Sequence, residues 1–125
     1  MEREIKIKVG KIEIWAELNP TKVAGLIWDL LPIQSVFNLW GDEIYFPISV
    51  KEKNIGNPAD TVQIGDLAYW PEGHCFCIFF GPTPISSPGQ IKPASSVEIV
   101  GRLLGDPQVL KRIQGEEKIR IEKLL

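Results

Sequence analysis

The side chains with the greatest capacity for chemistry lie in one stretch of the chain, residues 65–84, which reads GDLAYWPEGHCFCIFFGPTP. It holds the only histidine, His74, and the only two cysteines, Cys75 and Cys77. On a strand the two thiols would lie on one face, about 6.5 to 7 Å apart, because side chains alternate. A disulfide between them would strain the strand, and a second pair of zinc ligands is missing. We therefore expect buried free thiols that pack as small apolar side chains, and no metal.

Nucleophilic and cofactor-dependent enzymes are poor matches to this chain. It has one histidine, and the cysteines lie in an apolar run, which raises the pKa of a thiol. Asp66 follows a glycine and is interpreted as a turn former, and Glu72 as a solvated hairpin tip. The sequence contains no phosphate-binding loop and no dinucleotide fingerprint. We expect no cofactor.

Binding is the chemistry that the aromatic residues favour. They lie beside loops rich in turn formers, a composition typical of ligand pockets. The predicted binding residues are Phe76, Tyr69, His74, Tyr45 and Trp70. The alternative interpretation is that these side chains only fill the core and its rim.

Two predicted strands position most of these residues. Leu67–Trp70 and His74–Phe80 flank the break Pro71-Glu72-Gly73, a pattern typical of a hairpin. Alternation along the second strand predicts one face with His74, Phe76, Ile78 and Phe80 and another with Cys75, Cys77 and Phe79. A strand that is apolar on both faces must be covered on both sides. This occurs when a sheet closes into a barrel and other segments pack outside it.

The rest of the chain predicts further short elements, separated by turn formers. In chain order they are a hairpin of Glu2–Val9 and Lys11–Leu18, a helix that Asn19 caps and Pro32 stops, strands Val36–Trp40 and Glu43–Val50 around a Gly41-Asp42 turn, a surface loop 51–60, a long loop Gly81–Ser96, a strand Val97–Leu104, a short helix that Asp106 caps, and a strand Lys118–Leu124. Pro47 demotes its strand to an edge or a bulge.

This order of elements predicts a mainly β fold with seven or eight strands and two helices. We expect one domain over residues 1–125, a closed or nearly closed antiparallel barrel with one longer and one short helix at its open ends.

Charge and hydropathy restrict the partners. A formal net charge of −2 and a pI near 5.4 do not provide the basic face that nucleic acid requires. No apolar run has membrane-spanning length, and the first residues alternate charged with apolar, so we expect a cytoplasmic protein without membrane contact. Met1–Val9 and Lys118–Leu125 could pair between chains if the barrel leaves an edge open, although their charge opposes it. We expect a monomer or a weak homo-oligomer.

Three strings in the sequence resemble a known family. GDLAYWPEG, FCIFFGPTP and GDEIYF are similar to signatures of cyclophilins, and most of all to those of a small prokaryotic cyclophilin-like group without a settled activity. Pro20-Thr21-Lys22 resembles the opening of the first cyclophilin helix, and Val97–Gly101 with Asp106–Ile113 resembles the late strand and short helix. The resemblance covers nearly the whole chain, although typical cyclophilins are longer by several loops. It implies the cyclophilin β-barrel.

The resemblance also implies a prolyl isomerase site, but the catalytic set is incomplete. The cyclophilin arginine lies in a Phe-His-Arg-Val-Ile pattern, and the similar stretch here, residues 44–48, reads IYFPI. Phe76 could supply the phenylalanine of the pocket floor, whereas the tryptophan and histidine of the loop before the late strand have no match in Ile85–Ser96. Rotation about a prolyl bond has a barrier of about 18–20 kcal/mol, and an isomerase needs a donor aimed at the twisting amide.

We therefore expect a cyclophilin-like domain that binds a proline-containing peptide or a small molecule without chemistry. The alternative is a weak or atypical peptidyl-prolyl cis-trans isomerase.

Overall fold

The fold consists of strands and two short helices in the computed structural model, which describes residues 3–115 and 118–124. The described strands are β1 (Arg3–Val9), β2 (Ile12–Leu18), β3 (Ile33–Val36), β4 (Asn38–Leu39), β5 (Glu43–Pro47), β6 (Pro58–Ala59), β7 (Asp66–Trp70), β8 (Cys75–Phe79), β9 (Val97–Leu103) and β10 (Lys118–Lys123). The helices are α1 (Lys22–Leu30) and a 3₁₀ helix (Pro107–Arg112). The mainly β architecture with one longer helix is confirmed.

The strands form one antiparallel sheet that nearly closes on itself. Its order is β3-β10-β1-β2-β9-β7-β8-β5-β4, and β6 pairs with β9 beside this path. The first and last strands, β3 and β4, are consecutive in the chain, with only Phe37 between them. The backbone therefore joins the two edges that hydrogen bonds leave open, and the predicted barrel is confirmed.

Alternation along the strands produces two apolar cores. The core inside the barrel includes Phe46 of β5, Tyr69 of β7, and Phe76 and Ile78 of β8. A second core lies on the outer face of the same strands and comprises Val62, Ala68, Cys75, Cys77, Phe79 and Val97. Partly buried Ala59 and Ile91 from the connecting segments pack against this outer core. The two apolar faces predicted for β8 are thus covered on opposite sides of the barrel wall.

Helix α1 begins two residues later than the sequence suggests. Thr21, not Asn19, is the N-cap, and its Oγ1 accepts a hydrogen bond from Ala24 N at 3.3 Å. The Asn19 side chain instead accepts from Thr21 N at 3.2 Å and from the Thr21 hydroxyl at 2.6 Å. Asn19 therefore holds the capping residue in place from outside the helix, and the predicted cap at Asn19 is wrong. Pro32 follows the helix end, as expected from its missing N–H.

Strand boundaries differ from expectation where pairing is non-local. Residues 33–36 form β3 through pairing with β10, and the predicted strand Val36–Trp40 shrinks to β4. Strand β5 ends at Pro47, since proline cannot donate to the ladder, so the predicted continuation to Val50 is wrong. Pro58–Ala59 pairs with β9 inside the predicted loop 51–60. These short strands account for a count of ten among the described residues.

The terminal strands lie inside the sheet. Strand β1 pairs with β2 and β10, and β10 pairs with β1 and β3. Neither β1 nor β10 presents an open edge, so the condition for pairing these two strands between chains is not met. Within residues 3–115 and 118–124, no helix has the length and apolar character needed to cross a membrane.

Candidate functional site: an aromatic pocket with a buried glutamate

A pocket of about 200 Å³ opens on the outer face of the barrel wall. Its lining residues are Trp40, Glu43, Tyr45, Trp70 and Ala94. We call it the Glu43 pocket. Along β5, Ile44 and Phe46 point into the barrel core, so Glu43 and Tyr45 must point outward. The loop before β9 brings Ala94 over them.

The β4–β5 hairpin positions Trp40 and Glu43. Trp40 N donates to Glu43 O at 2.9 Å, and Glu43 N donates to Trp40 O at 3.2 Å. Directly opposed residues of an antiparallel pair share a face, so the indole and the carboxyl lie side by side. Gly41 in the turn has a φ of +61°, and a Cβ there would lie 2.8 Å from Pro82 O. The predicted Gly41-Asp42 turn is confirmed, and it is what places the two side chains.

Trp70 is held on two sides. Its Nε1 donates to Ser95 Oγ at 2.6 Å, and the Ser95 hydroxyl donates to Glu72. A methyl group on Gly73 would lie 2.5 Å from Cε3 of the ring. The ring is therefore fixed between the β7–β8 turn and the loop 81–96, and its only N–H is already used. Trp70 offers the pocket an apolar, π-rich surface.

Glu43 is the unusual member of the site. Only 5% of the residue is exposed, and its Oε1 has no hydrogen-bond partner in the described part of the chain. Burial raises the pKa of the carboxyl from 4.5 to about 7, and a hydrogen bond with the Cys77 thiol lowers it in part. The group therefore exchanges between acid and carboxylate near neutral pH, among aromatic walls.

Sequence reasoning missed Glu43, although a signal was present. Because β8 is apolar on both faces, its outer face must be covered, and that cover can extend over outward residues of the strands beside it. Glu43 faces Phe79 in the β5–β8 register, and Tyr45 faces Cys77. The position of Glu43 next to this doubly apolar strand was therefore a signal of burial.

The five predicted binding residues do not form one groove. Tyr45 and Trp70 line the Glu43 pocket, whereas Phe76 and Tyr69 lie inside the barrel with 0% exposure. Phe76 packs against Phe46, with ring centroids 5.7 Å apart. The expectation that Phe76 and Tyr69 join the outer aromatics is wrong, because alternation puts them on the opposite face of the wall.

Tyr69 and His74 make hydrogen bonds that hold a neighbouring segment of the fold in place. The Tyr69 hydroxyl donates to Val50 O at 2.8 Å and accepts from Glu52 N at 3.2 Å. His74 precedes β8 and adopts a φ of +52° in the hairpin turn. Its carbonyl accepts from Ile48 N at 2.9 Å. Both residues therefore anchor the segment that follows β5.

The cysteines behave as expected. Cys75 and Cys77 are free and buried in the outer core. Burial raises the pKa of both thiols, and the nearby Glu43 carboxyl raises it further. Within the described ranges 3–115 and 118–124, no three His, Cys, Asp or Glu side chains converge to hold a metal ion.

A larger pocket lies elsewhere and lacks comparable chemistry. It measures about 680 Å³ and is formed by residues 62–64 with Pro82 and residues 86–91. None of these residues is ionisable. The Glu43 pocket is smaller, but it alone of the two combines aromatic walls with a titratable group, so it is the candidate site.

Comparison with known proteins agrees with the fold. The sequence model described as Cyclophilin-like matches residues 3–122. The solution structure of the hypothetical protein AF2241 from Archaeoglobus fulgidus superimposes with a TM-score of 0.79 at 38% sequence identity, covering 98% of this chain and 95% of that one. None of the curated proteins compared with the chain matches it. The family model matches nearly all of the chain, and the solved relative has nearly the same length and the same fold. The chain therefore belongs to the cyclophilin-like family.

Proposed function

We propose that the domain is a binding module, and that its ligand is a small molecule or a single peptide side chain that enters the Glu43 pocket. One observation carries the proposal: a carboxyl oxygen that is buried among aromatic rings without a partner. Nearly all buried polar groups in proteins are hydrogen-bonded, and leaving one unpaired costs about 1–3 kcal/mol. A ligand that supplies a donor to Oε1 would recover this free energy.

The size of the pocket limits the ligand. Pockets for drug-sized molecules measure roughly 300–1,000 Å³, whereas this one measures about 200 Å³. That volume suits a short side chain, a proline ring or a small metabolite. A longer peptide would have to lie across the neighbouring surface and insert one residue.

A weak prolyl isomerase is the second candidate. The outward residues of β5 are Glu43, Tyr45 and Pro47, and none carries a permanent positive charge. Each missing donor costs on the order of 3 kcal/mol of transition-state stabilisation, or roughly a hundredfold in rate. The observation in favour is that Glu43 becomes a donor when it is protonated, which its raised pKa allows near pH 7. Such activity would be greater at pH 6 than at pH 8.

Heteronuclear NMR of the full chain tests the proposal. The four tryptophans provide an internal control, because Trp40 and Trp70 line the pocket, whereas Trp15 lies on β2 and Trp28 on α1. Titration with X-Pro peptides and pooled metabolites should shift the indole signals of the first pair and leave the second pair in place. Exchange spectroscopy on the peptides, at pH 6 and pH 8, would detect isomerase activity in the same samples.

Two variants sharpen the test. Tyr45→Ala removes one wall and should weaken any binding that shifts Trp40 and Trp70, while Trp15→Phe, on a distant strand, should not. If no member of the panel moves the Trp40 and Trp70 signals, or if Tyr45→Ala leaves their shifts unchanged, the pocket is not the binding site.

A further inference from the structure

We infer that the Glu43 pocket selects a cationic ligand, specifically a small alkylammonium group, over an uncharged group of the same shape. This inference rests on the proposed binding function and adds the chemical class of the ligand. It is carried by the aromatic walls, the unpartnered carboxyl oxygen and the absence of any basic side chain from the lining.

The walls are suited to a cation. Trp40, Tyr45 and Trp70 supply three of the five lining residues. The faces of such rings carry negative potential and attract ammonium groups within about 6 Å, with tryptophan the most effective. The Nε1–H group of Trp70 already donates to Ser95 Oγ, so it is not free to donate to a ligand. Trp70 can therefore contact a ligand only through the face or edge of its ring.

The carboxyl supplies a charge that the protein itself leaves unbalanced. Glu43 takes part in none of the ion pairs among the described residues, and the neighbouring Asp42 lies 3.8 Å from Lys111 Nζ. Within residues 3–115 and 118–124, no lysine, arginine or histidine lines the pocket. An anionic ligand would be repelled, and an uncharged ligand of the same shape would leave the ionised carboxyl without a counter-charge. A cation avoids both costs.

Proton exchange should accompany binding. An ammonium group favours the ionised carboxyl, so below pH 7 its binding must expel the proton that burial keeps on Glu43. Other ionisable groups lie on the elements around Glu43. Cys75 and Cys77 on β8 have raised pKa values and stay neutral, and Asp42 on the β4–β5 turn is paired with Lys111. The facing residues of β7 and the loop, Trp70 and Ala94, carry no charge.

The test uses two probes of the same shape. Choline and 3,3-dimethylbutan-1-ol differ only in that a neutral carbon replaces the ammonium nitrogen. Each is titrated into the full chain at pH 6 and pH 8, and binding is followed by the Trp40 and Trp70 indole signals. We expect choline to bind at least tenfold more tightly than the alcohol at pH 8. We also expect choline to bind about tenfold more weakly at pH 6, as the ionised fraction of Glu43 falls.

Matched variants separate charge from shape. Glu43→Gln keeps the size of the side chain but should remove both the preference for choline and its pH dependence. Glu13→Gln makes the same change on an exposed position of β2 and should leave choline binding as in the unmodified chain. Unchanged Trp28 signals verify that each variant is folded.

The outcomes distinguish selection of a cation from binding as such. If the alcohol shifts the Trp40 and Trp70 signals as readily as choline does at pH 8, the pocket binds ligands but does not select charge. The inference of cation selection is then wrong, and the proposed binding function stands. If Glu43→Gln retains the choline preference, Glu43 is not the selecting group. If choline causes no shift at millimolar concentration, the inference is overturned, and the peptide and metabolite panel then decides the binding function by itself.

Discussion

Two faces of one barrel wall have opposite roles in this protein. Neighbouring residues of β5 show it most directly: Phe46 points inward with 0% exposure and packs against Phe76, whereas Tyr45 points outward and lines a pocket. Both faces are rich in aromatic side chains. The inner face is filled by its own residues, and the outer face is covered by a loop that leaves space. The candidate site therefore belongs to the cover of the barrel and not to its interior.

Two buried glutamates extend this comparison. Glu98 is 4% exposed, and its Oε1 accepts a hydrogen bond from Gly56 N at 3.2 Å. Glu43 is buried to the same degree, yet its Oε1 has no partner. Burial alone thus does not make a candidate site. The difference is that the fold supplies Oε1 of Glu98 with a hydrogen-bond donor, whereas Oε1 of Glu43 has none among the described residues.

The largest expected effect comes from Phe76→Ala, which opens a cavity inside the barrel. Removal of a buried phenylalanine costs about 3–5 kcal/mol of folding free energy. Tyr45→Ala removes an aromatic ring from the outer pocket and should cost less than about 1 kcal/mol, because this residue is only half-buried. Urea unfolding of both variants measures the contrast. Equal losses would show that the outer aromatics are as important to folding as the core.

Glu43→Gln should stabilise the protein at alkaline pH. The folded state raises the pKa of Glu43 from 4.5 to about 7, so its proton is held more tightly when folded. The stability due to this group is complete below pH 4.5 and is lost as the pH rises through about 7. Each pKa unit corresponds to about 1.4 kcal/mol, so the variant should gain about 3 kcal/mol at pH 8.

The pH dependence of that gain is the check. Thermal or urea unfolding at pH 4.5 should give nearly equal stabilities for Glu43→Gln and the unmodified chain, since Glu43 is protonated there in the folded state and still about half protonated in the unfolded state. Glu13→Gln, at an exposed position, should show no such divergence. A constant difference between pH 4.5 and pH 8 would mean that Glu43 is ionised in the folded protein throughout.

Tyr69→Phe tests the inner face with a smaller change. It keeps the ring in the barrel core but removes the hydroxyl that bonds Val50 O and Glu52 N. Loss of a buried hydrogen bond costs about 1–2 kcal/mol, and the segment after β5 should exchange its amide hydrogens faster. Binding at the Glu43 pocket should be unaffected. A parallel loss of binding would show that the two faces of the wall are coupled.

Local patterns in the sequence predicted much of the fold. Alternation along residues 3–18 specified the β1–β2 hairpin, and alternation along residues 75–80 separated Phe76, Ile78 and Phe80 from Cys75 and Cys77 correctly. Gly41-Asp42 specified a turn, and Asp106 caps the 3₁₀ helix as expected, with its Oδ1 accepting from Gln108 N at 3.0 Å. These features depend on residues that are close together in the chain.

The errors have a common origin in contacts between distant segments. Strand β3 exists because β10, more than 80 residues later, pairs with it. Glu43 was overlooked because its burial depends on β8 and on the loop that carries Ala94. At the start of α1, the predicted cap Asn19 instead contacts a distant strand, because its Nδ2 donates to Ile99 O at 2.8 Å.

The sequence by itself determined which side chains share a face, because a strand repeats every two residues whatever surrounds it. Only the tertiary structure decided which face became the inside of the barrel. That choice depends on how the sheet curves and closes, and on the loop 81–96 that covers the outside of β5 and β7. The same physics explains the candidate site: a period of two puts Glu43 and Tyr45 side by side, and the closed barrel with its cover turns that face into a pocket.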